Sequence, residues 1–407
     1  MARRALITGV TGQDGSYLAE HLLNEGYQVW GLIRGQANPR KMRISRLAAE
    51  LSFVDGDLMD QSSLVSAVEQ VQPDEVYNLG AISFVPMSWQ QPELVTEING
   101  MGVLRVLEAI RMVSGLNHSR NGGTQIRFYQ ASSSEMFGKA FETPQRESTP
   151  FHPPQPVRRR QGLRALHHQE LPRVLRHVRG VRDAVQPRVP RRGAEFVTRK
   201  ISMSVARIKR GYQDKLHLGN LDAVRDWGFA GDYVRAMHLM LQQPECGDYV
   251  IGTGQTHSVR DAVRIAFEHV GLNWEDYVVV DPALVRPAEV EILCADPSIA
   301  KKQLGWEPTL DFPQLMQMMV DCDLLQVTRE HEYADLMLVR RLVGRLTRRK
   351  AGPSTEGAAV CGLCGGWQAL AGVCQRQDRP GYLRAVRAEP GGVPLHHRVL
   401  PGHLAGR

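Results

Sequence analysis

From Arg4 onward the chain alternates short β-branched apolar runs with longer stretches whose apolar residues recur every three or four positions. The short runs read as strands and the longer period as amphipathic helices, a pattern that predicts a parallel sheet covered by helices. Strands are predicted over Ala5–Thr8, Gln28–Ile33, Leu51–Val54, Glu75–Leu79 and Ile126–Tyr129. Helices are predicted over Tyr17–Leu23, Ser62–Val71, Gly102–Met112 and Arg199–Arg210, with a further one opening at a cap on Ser258. The expected fold class is α/β, with a doubly wound parallel sheet over residues 1–196 and a smaller mixed α/β lobe over 197–338.

Two stretches break this pattern. Val157–Arg192 and Val339–Arg407 are rich in arginine, almost free of lysine and poor in aromatics, and they carry much of the net charge of +7. A nucleic-acid surface interleaves aromatics with its basic residues, so no nucleic-acid partner is expected. No run reaches the roughly 20 apolar residues of a membrane span, and Met1-Ala2-Arg3-Arg4 leads straight into a strand. A cytoplasmic protein without a membrane partner is expected. The six cysteines, none before Cys246, make no paired framework and fit a reducing compartment.

Thr8-Gly9-Val10-Thr11-Gly12-Gln13-Asp14-Gly15 lies directly between the first strand and the first helix. Glycines at this spacing let the backbone turn tightly and approach a pyrophosphate, whose charge meets free amides at the helix N-terminus. Gly9, Thr11, Gly12, Gln13, Asp14 and Gly15 are therefore candidate dinucleotide contacts in a Rossmann arrangement. About twenty residues on, where an acid would hold the ribose hydroxyls of NAD, the chain has Arg34. That favours the 2′-phosphate of NADP, unless Arg34 is one of a surface group with Arg40, Lys41 and Arg43. Asp57 and Leu58 after the third strand, and Leu79, Gly80, Ala81 and Ser83 after the fourth, fall where further cofactor contacts are expected. After the fifth strand comes Gln130-Ala131-Ser132-Ser133-Ser134-Glu135-Met136-Phe137-Gly138. A carboxylate, Glu135, among a cluster of hydroxyls at that edge suits proton abstraction beside a carbonyl.

Read with Arg191-Arg192-Gly193-Ala194-Glu195-Phe196-Val197-Thr198-Arg199-Lys200, with Asn220 to Gly228, and with Arg286-Pro287-Ala288-Glu289-Val290 and Leu304-Gly305-Trp306, these motifs resemble the GDP-mannose 4,6-dehydratases. The resemblance runs over Ala5 to about Gln155 and Pro190 to about Leu338. It implies NADP as cofactor and GDP-mannose as substrate. The family oxidises C4, removes the C5 proton, eliminates the C6 hydroxyl as water and returns hydride to C6, giving GDP-4-keto-6-deoxymannose. It also implies that Glu135 and Ser133 carry the elimination, that Arg192 contacts NADP, and that Lys200, Arg225, Arg286 and Glu289 contact the GDP-sugar. A homo-oligomer and no metal are expected. An epimerase or reductase on another sugar nucleotide, or an NADP-binding chain without turnover, are the alternatives.

The departures from the family are local. Its Tyr-x-x-x-Lys pair is missing: no tyrosine occurs between Tyr129 and Tyr212, and no lysine between Lys139 and Lys200. Ile82 and Phe84 stand where Gln and His are usual. Back-translating Gln155 to Gly162 as CAG CCC GTA CGG CGC CGC CAA GGC and starting one base later gives Ser-Pro-Tyr-Gly-Ala-Ala-Lys, the missing motif. The same frame through Gln186 to Pro190 permits Asn-His-Glu-Ser. Residues 154–189 thus read as an out-of-frame insert between compensating shifts, and the tail 339–407 as out-of-frame and disordered. Cys361-Gly362-Leu363-Cys364, with Cys374, His396 and His397, is half a zinc pattern that a GC-rich wrong frame would scatter equally well.

Overall fold

The structure, a computed structural model, describes residues 2–35, 47, 49–83, 87, 90–114, 126–138, 140–151, 178–183, 186–188, 191–193, 195–284 and 292–350. In chain order the first elements are β1 (Arg4–Thr8), α1 (Gln13–Asn24), β2 (Gln28–Ile33), β3 (Ser52–Asp55), α2 (Gln61–Val71), β4 (Glu75–Asn78), α3 (Gly102–Ser114), β5 (Arg127–Gln130), β6 (Val178–Asp183) and β7 (Gln186–Arg188). After these come α4 (Val197–Lys209), β8 (Leu216–Leu218), β9 (Val224–Phe229), α5 (Ala230–Gln242), β10 (Asp248–Ile251), β11 (Thr256–Ser258), α6 (Val259–His269), β12 (Val278–Val280), β13 (Ile292–Leu293), α7 (Ser298–Leu304) and α8 (Phe312–Lys350).

Seven strands form one sheet in the order β10-β6-β5-β4-β1-β2-β3, every neighbouring pair parallel. Successive strand residues face opposite sides, and the sequence fills both sides with apolar groups. Ala5, Ile7, Tyr77 and Tyr129 join one buried cluster with Leu18, Ala19 and Leu22 of α1 and Tyr233, Met237 and Met240 of α5. Leu6, Val76 and Phe128 join the other, with Leu64 and Val68 of α2 and Val106 and Ile110 of α3. The sheet is therefore doubly wound, and each large apolar side chain buried there stabilises it by roughly 1.5–3 kcal/mol.

The small lobe is built on β9, which pairs antiparallel with β11 and parallel with β13 and β7, beside a two-stranded pair of β8 and β12. Helices α4 and α6 and the start of α8 close its core, where Trp227 stacks on Phe312 at 5.1 Å. Arg199 of α4 and Asp323 of α8 form a buried ion pair at 2.7 Å, and the Ser202 hydroxyl donates to Asp323 at 2.6 Å. Burial pushes the Asp323 carboxyl up to about 6. The cap at Ser258 takes its predicted place: its hydroxyl accepts from the Asp261 amide at 3.0 Å, and Asp261 accepts from the Ser258 amide at 2.9 Å.

The two sheets are not consecutive stretches of chain. Strand β7 belongs to the small sheet, and β10, much later, returns to the large one. The end of the arginine-rich segment supplies β6, which pairs with β5 through Phe128↔Val178 and with β10 through Ile251↔Asp183. Neither β6 nor β10 was predicted. Val178-Arg179-Gly180-Val181-Arg182-Asp183 lacks the apolar run by which an inner parallel strand is ordinarily recognised. Residues 152–177 lie outside the described residues.

Met1–Asp335 forms one compact unit and Leu336–Arg407 a second. In the second, Leu336, Val339, Leu342, Val343 and Leu346 recur at helical spacing, and helix continues to Lys350, past the boundary that composition suggests at 338. Residues 351–407, with Cys361, Cys364, Cys374, His396 and His397, lie outside the described residues.

Candidate dinucleotide and catalytic edge

Strands β2 and β3 lie to one side of β1, and β4, β5 and β6 to the other, so the winding reverses between β1 and β4. At such a reversal the carboxyl ends of the strands open a crevice. The chain places there the Gly9–Gly15 turn after β1, Arg34 after β2, Asp57 and Leu58 after β3, Leu79 to Ser83 after β4, and Ser133 and Glu135 after β5. One edge thus gathers the sequence candidates of the large sheet.

Gly9 has φ +72°, which only glycine adopts freely, and a Cβ on it would stand 2.8 Å from the Gly80 amide nitrogen. A Cβ on Gly15 would stand 2.3 Å from the Gly9 carbonyl oxygen, so α1 can start this close to β1 only without a side chain. The Gly12 amide closes the turn on the Gly9 carbonyl at 2.8 Å. Gly12 has no side chain to cap α1, which leaves the first amides of the helix to an anion. This cradle fits the pyrophosphate of a dinucleotide.

Two arginines reach the turn from the segment before α4. Arg191 pairs with Glu20 at 2.5 Å and lies over the Tyr17 ring at 4.3 Å, tying that segment to α1. Arg192 donates to Gln13 Oε1 at 3.2 Å and stacks over Phe196 at 3.9 Å. Burial pulls the Arg192 guanidinium down to about 10, against the pull of Asp14. Gln13 in turn donates to Asp14 at 2.6 Å, and burial raises that carboxyl above its usual range. Gln13 is therefore a bridge between Arg192 and Asp14, a role no local pattern displays.

The remaining loops are held from beneath. Arg34 is exposed at the end of β2. Asp57 spends its carboxylate on the Met59 amide at 3.0 Å, while its own amide donates to Ser63 at 3.0 Å. Leu58 is buried in the core between β3 and α3. Asn99, 2% exposed, grips Ile82 twice, accepting from its amide at 2.8 Å and donating to its carbonyl at 2.9 Å. Sequence reasoning missed Asn99, because its only signal is the π-helical turn Glu97–Met101, a feature found at functional sites but visible only in three dimensions.

After β5, Ser134–Met136 makes one 3-10 turn, closed by the Met136 amide on the Ser133 carbonyl at 3.1 Å. Ser133 is half-buried at its start. Glu135 takes the middle of the turn, and its side chain lies outside the described part of the structure. In the small lobe, Lys200 of α4 donates to the His217 carbonyl at 2.6 Å, and Arg225 lies on β9 in register with His257 and Leu293. Its neighbour Asp226 accepts from the Thr253 amide and hydroxyl at 3.1 and 2.5 Å, from Gly254 at 3.0 Å and from Ala295 at 3.3 Å. Burial pushes Asp226 up to about 6. Arg286 and Glu289 lie outside the described residues.

Among the described residues no three His, Cys, Asp or Glu side chains could hold a metal, and no helix is long and apolar enough to cross a membrane. The family profile of GDP-mannose 4,6 dehydratase matches residues 6–159 and 182–319, so its pattern breaks within the arginine-rich segment. GDP-mannose 4,6 dehydratase 1 of Arabidopsis thaliana is 45% identical over 353 residues, spanning 81% of this chain and 92% of that protein. The Homo sapiens GDP-mannose 4,6 dehydratase is 41% identical over 351 residues, spanning 79% and 91%. In fold the chain is similar to the crystal structure of dTDP-glucose 4,6-dehydratase from Bacillus anthracis in complex with NAD, with a TM-score of 0.67, 19% identity, and 81% and 98% of the two chains covered. With the family profile matched over most of its length and relatives 41–45% identical across about four fifths of it, the chain belongs to the GDP-mannose 4,6-dehydratase family.

Proposed function

We propose that the chain carries the cofactor and sugar-nucleotide framework of a lyase that converts GDP-mannose to GDP-4-keto-6-deoxymannose, with NADP in the cradle at the β1 edge. The observation that carries this reading is the family match on both sides of residues 160–181, combined with the Gly9–Gly15 cradle at the reversal of the sheet. The relatives are named for GDP-mannose, and the fold neighbour was crystallised with NAD; Arg34 and Arg192 favour the extra phosphate of NADP here. When bound, NADP would supply the hydride exchange between C4 and C6 of the sugar. Arg192 and the first amides of α1 hold phosphate oxygens. Glu135 takes the C5 proton once C4 is a ketone, and Ser133 assists departure of the C6 hydroxyl.

The proton-transfer pair of the first step is missing, since no tyrosine stands between Tyr129 and Tyr212. A positioned acid–base group is worth about 10² to 10⁴ in rate, so the chain as it stands binds cofactor without useful turnover. Two proteins test this: the chain itself, and one whose residues 155–189 are replaced by the shifted frame with Ser-Pro-Tyr-Gly-Ala-Ala-Lys and Asn-His-Glu-Ser. Keto-sugar formation should appear only in the second, and NADPH binding in both. Comparable turnover would remove the need for the pair, and loss of NADPH binding in both would remove the cofactor assignment.

A further inference from the structure

Thr8, Asn78 and Gln130 end three adjacent strands, β1, β4 and β5, and stand in register, Thr8 opposite Asn78 and Asn78 opposite Gln130. All three are polar, and their exposures are 2%, 0% and 2%. In-register side chains of parallel strands share a face, and these form a continuous row. Thr8 Oγ1 donates to Asn78 Oδ1 at 2.5 Å, and Asn78 Nδ2 donates to Gln130 Oε1 at 2.7 Å. Each outer end takes a backbone group. The Gly80 amide donates to Thr8 Oγ1 at 2.9 Å, and Gln130 Nε2 donates to the Ala131 carbonyl at 2.5 Å. The directions are compatible along the row, with the single hydroxyl proton of Thr8 going to Asn78, and Gln130 Nε2 donates a second time, to the Asn78 carbonyl at 3.4 Å.

Filling the core does not call for such a row, because three apolar residues would close the same space without desolvating polar groups. What apolar residues cannot do is hold a loop by its backbone. One end of the row fixes Gly80, which packs against Gly9 of the dinucleotide turn. The other fixes Ala131, two residues before Ser133. We propose that Thr8, Asn78 and Gln130 are positioning residues that lock the loop bearing Ser133 and Glu135 into register with the dinucleotide turn. The inference rests on the reading of this edge as the dinucleotide site.

Amide hydrogen exchange on the full chain tests it, with NADPH binding measured separately on the same proteins. Gln130→Met touches neither Gly80 nor the Gly9–Gly15 turn, yet it should speed exchange at the Gly80 amide about tenfold or more, along with the Met136 and Phe137 amides. Thr8→Val should act from the opposite end, loosening Met136 and Phe137, while Thr8→Ser keeps the hydroxyl and should behave as the parent. Amides of α6 should keep their protection in every variant, which separates the effect from general unfolding. If Gln130→Met fails to fold, Gln130→Glu keeps the acceptor for Asn78 and drops the donor to Ala131; it should free Met136 and Phe137 and leave Gly80 protected. Effects confined to the mutated end in both Gln130→Met and Thr8→Val would overturn the proposal. A parent that shows coupled exchange but no NADPH binding would defeat the dinucleotide reading and leave the mechanical link standing.

Discussion

His21 of α1 and His238 of α5 meet ring to ring, with Nε2 of the first 3.1 Å from Nδ1 of the second. His238 Nε2 lies 3.1 Å from the Tyr27 hydroxyl, and that hydroxyl donates to the buried Glu75 at 3.1 Å. One assignment satisfies the chain: His21 donates to a neutral His238, which donates to Tyr27. Burial lowers both imidazoles below their usual range, each helped down by a nearby cation or its partner, with Glu25 and Glu75 opposing. A lowered folded-state value means that the unfolded chain takes up protons first as pH falls through about 6.5, so stability is present above that pH and lost below it. The melting temperature should drop between pH 7 and pH 5. His238→Gln should flatten that drop while lowering stability at pH 8, and an equal drop in both proteins would clear the pair of any role.

Ser258→Ala should cost about 1 kcal/mol, the usual worth of a capping side chain, because the Asp261 amide loses its acceptor. Urea denaturation reads it as a lower midpoint at unchanged slope. A change below a few tenths of a kcal/mol would mean that water caps α6 equally well.

The proteins that bind cofactor should prefer NADPH to NADH, and Arg34→Asp should shrink or reverse the preference, since a carboxylate repels the 2′-phosphate and accepts from ribose hydroxyls. Fluorescence titration with both nucleotides decides it; equal affinities in the parent would leave Arg34 a plain surface residue.

Arg192→Lys should weaken NADPH about as severely as Arg192→Ala, by roughly tenfold or more, because lysine keeps the charge and loses the planar contact with Phe196 and the fork to Gln13. Full recovery with lysine would show that charge alone matters.

In the frame-restored protein, Glu135→Gln should lower kcat by about 10² to 10⁴ while KM for GDP-mannose stays near the parent value. A variant altered only in KM would assign Glu135 to binding.

Periodicity alone located β1 to β5 and α1 to within a few residues, because these segments alternate apolar faces against both helical layers. Ser258 was legible as a cap because capping is written in one side chain and its third neighbour. Strand β10 was not legible: Asp248–Ile251 lies far along the chain from the other strands of the large sheet, and only pairing with β6 makes it part of that sheet. The site divides in the same way. The linear motifs name Gly9 to Gly15, Ser133 and Glu135, whereas Asn99 beneath Ile82 and Gln13 between Arg192 and Asp14 depend on contacts between distant parts of the chain.

Among the described residues β6 is the only strand that hydrogen-bonds β10 to the rest of the large sheet, and its first four residues fall in the gap of the family match. If those six residues let go, β5 and β10 each become an open edge, with apolar residues such as Phe128, Tyr129, Tyr249 and Val250 on strands free to pair with another molecule. Loosening of β6 should therefore cost soluble yield before it costs catalysis, and its first sign in the laboratory should be an inclusion body.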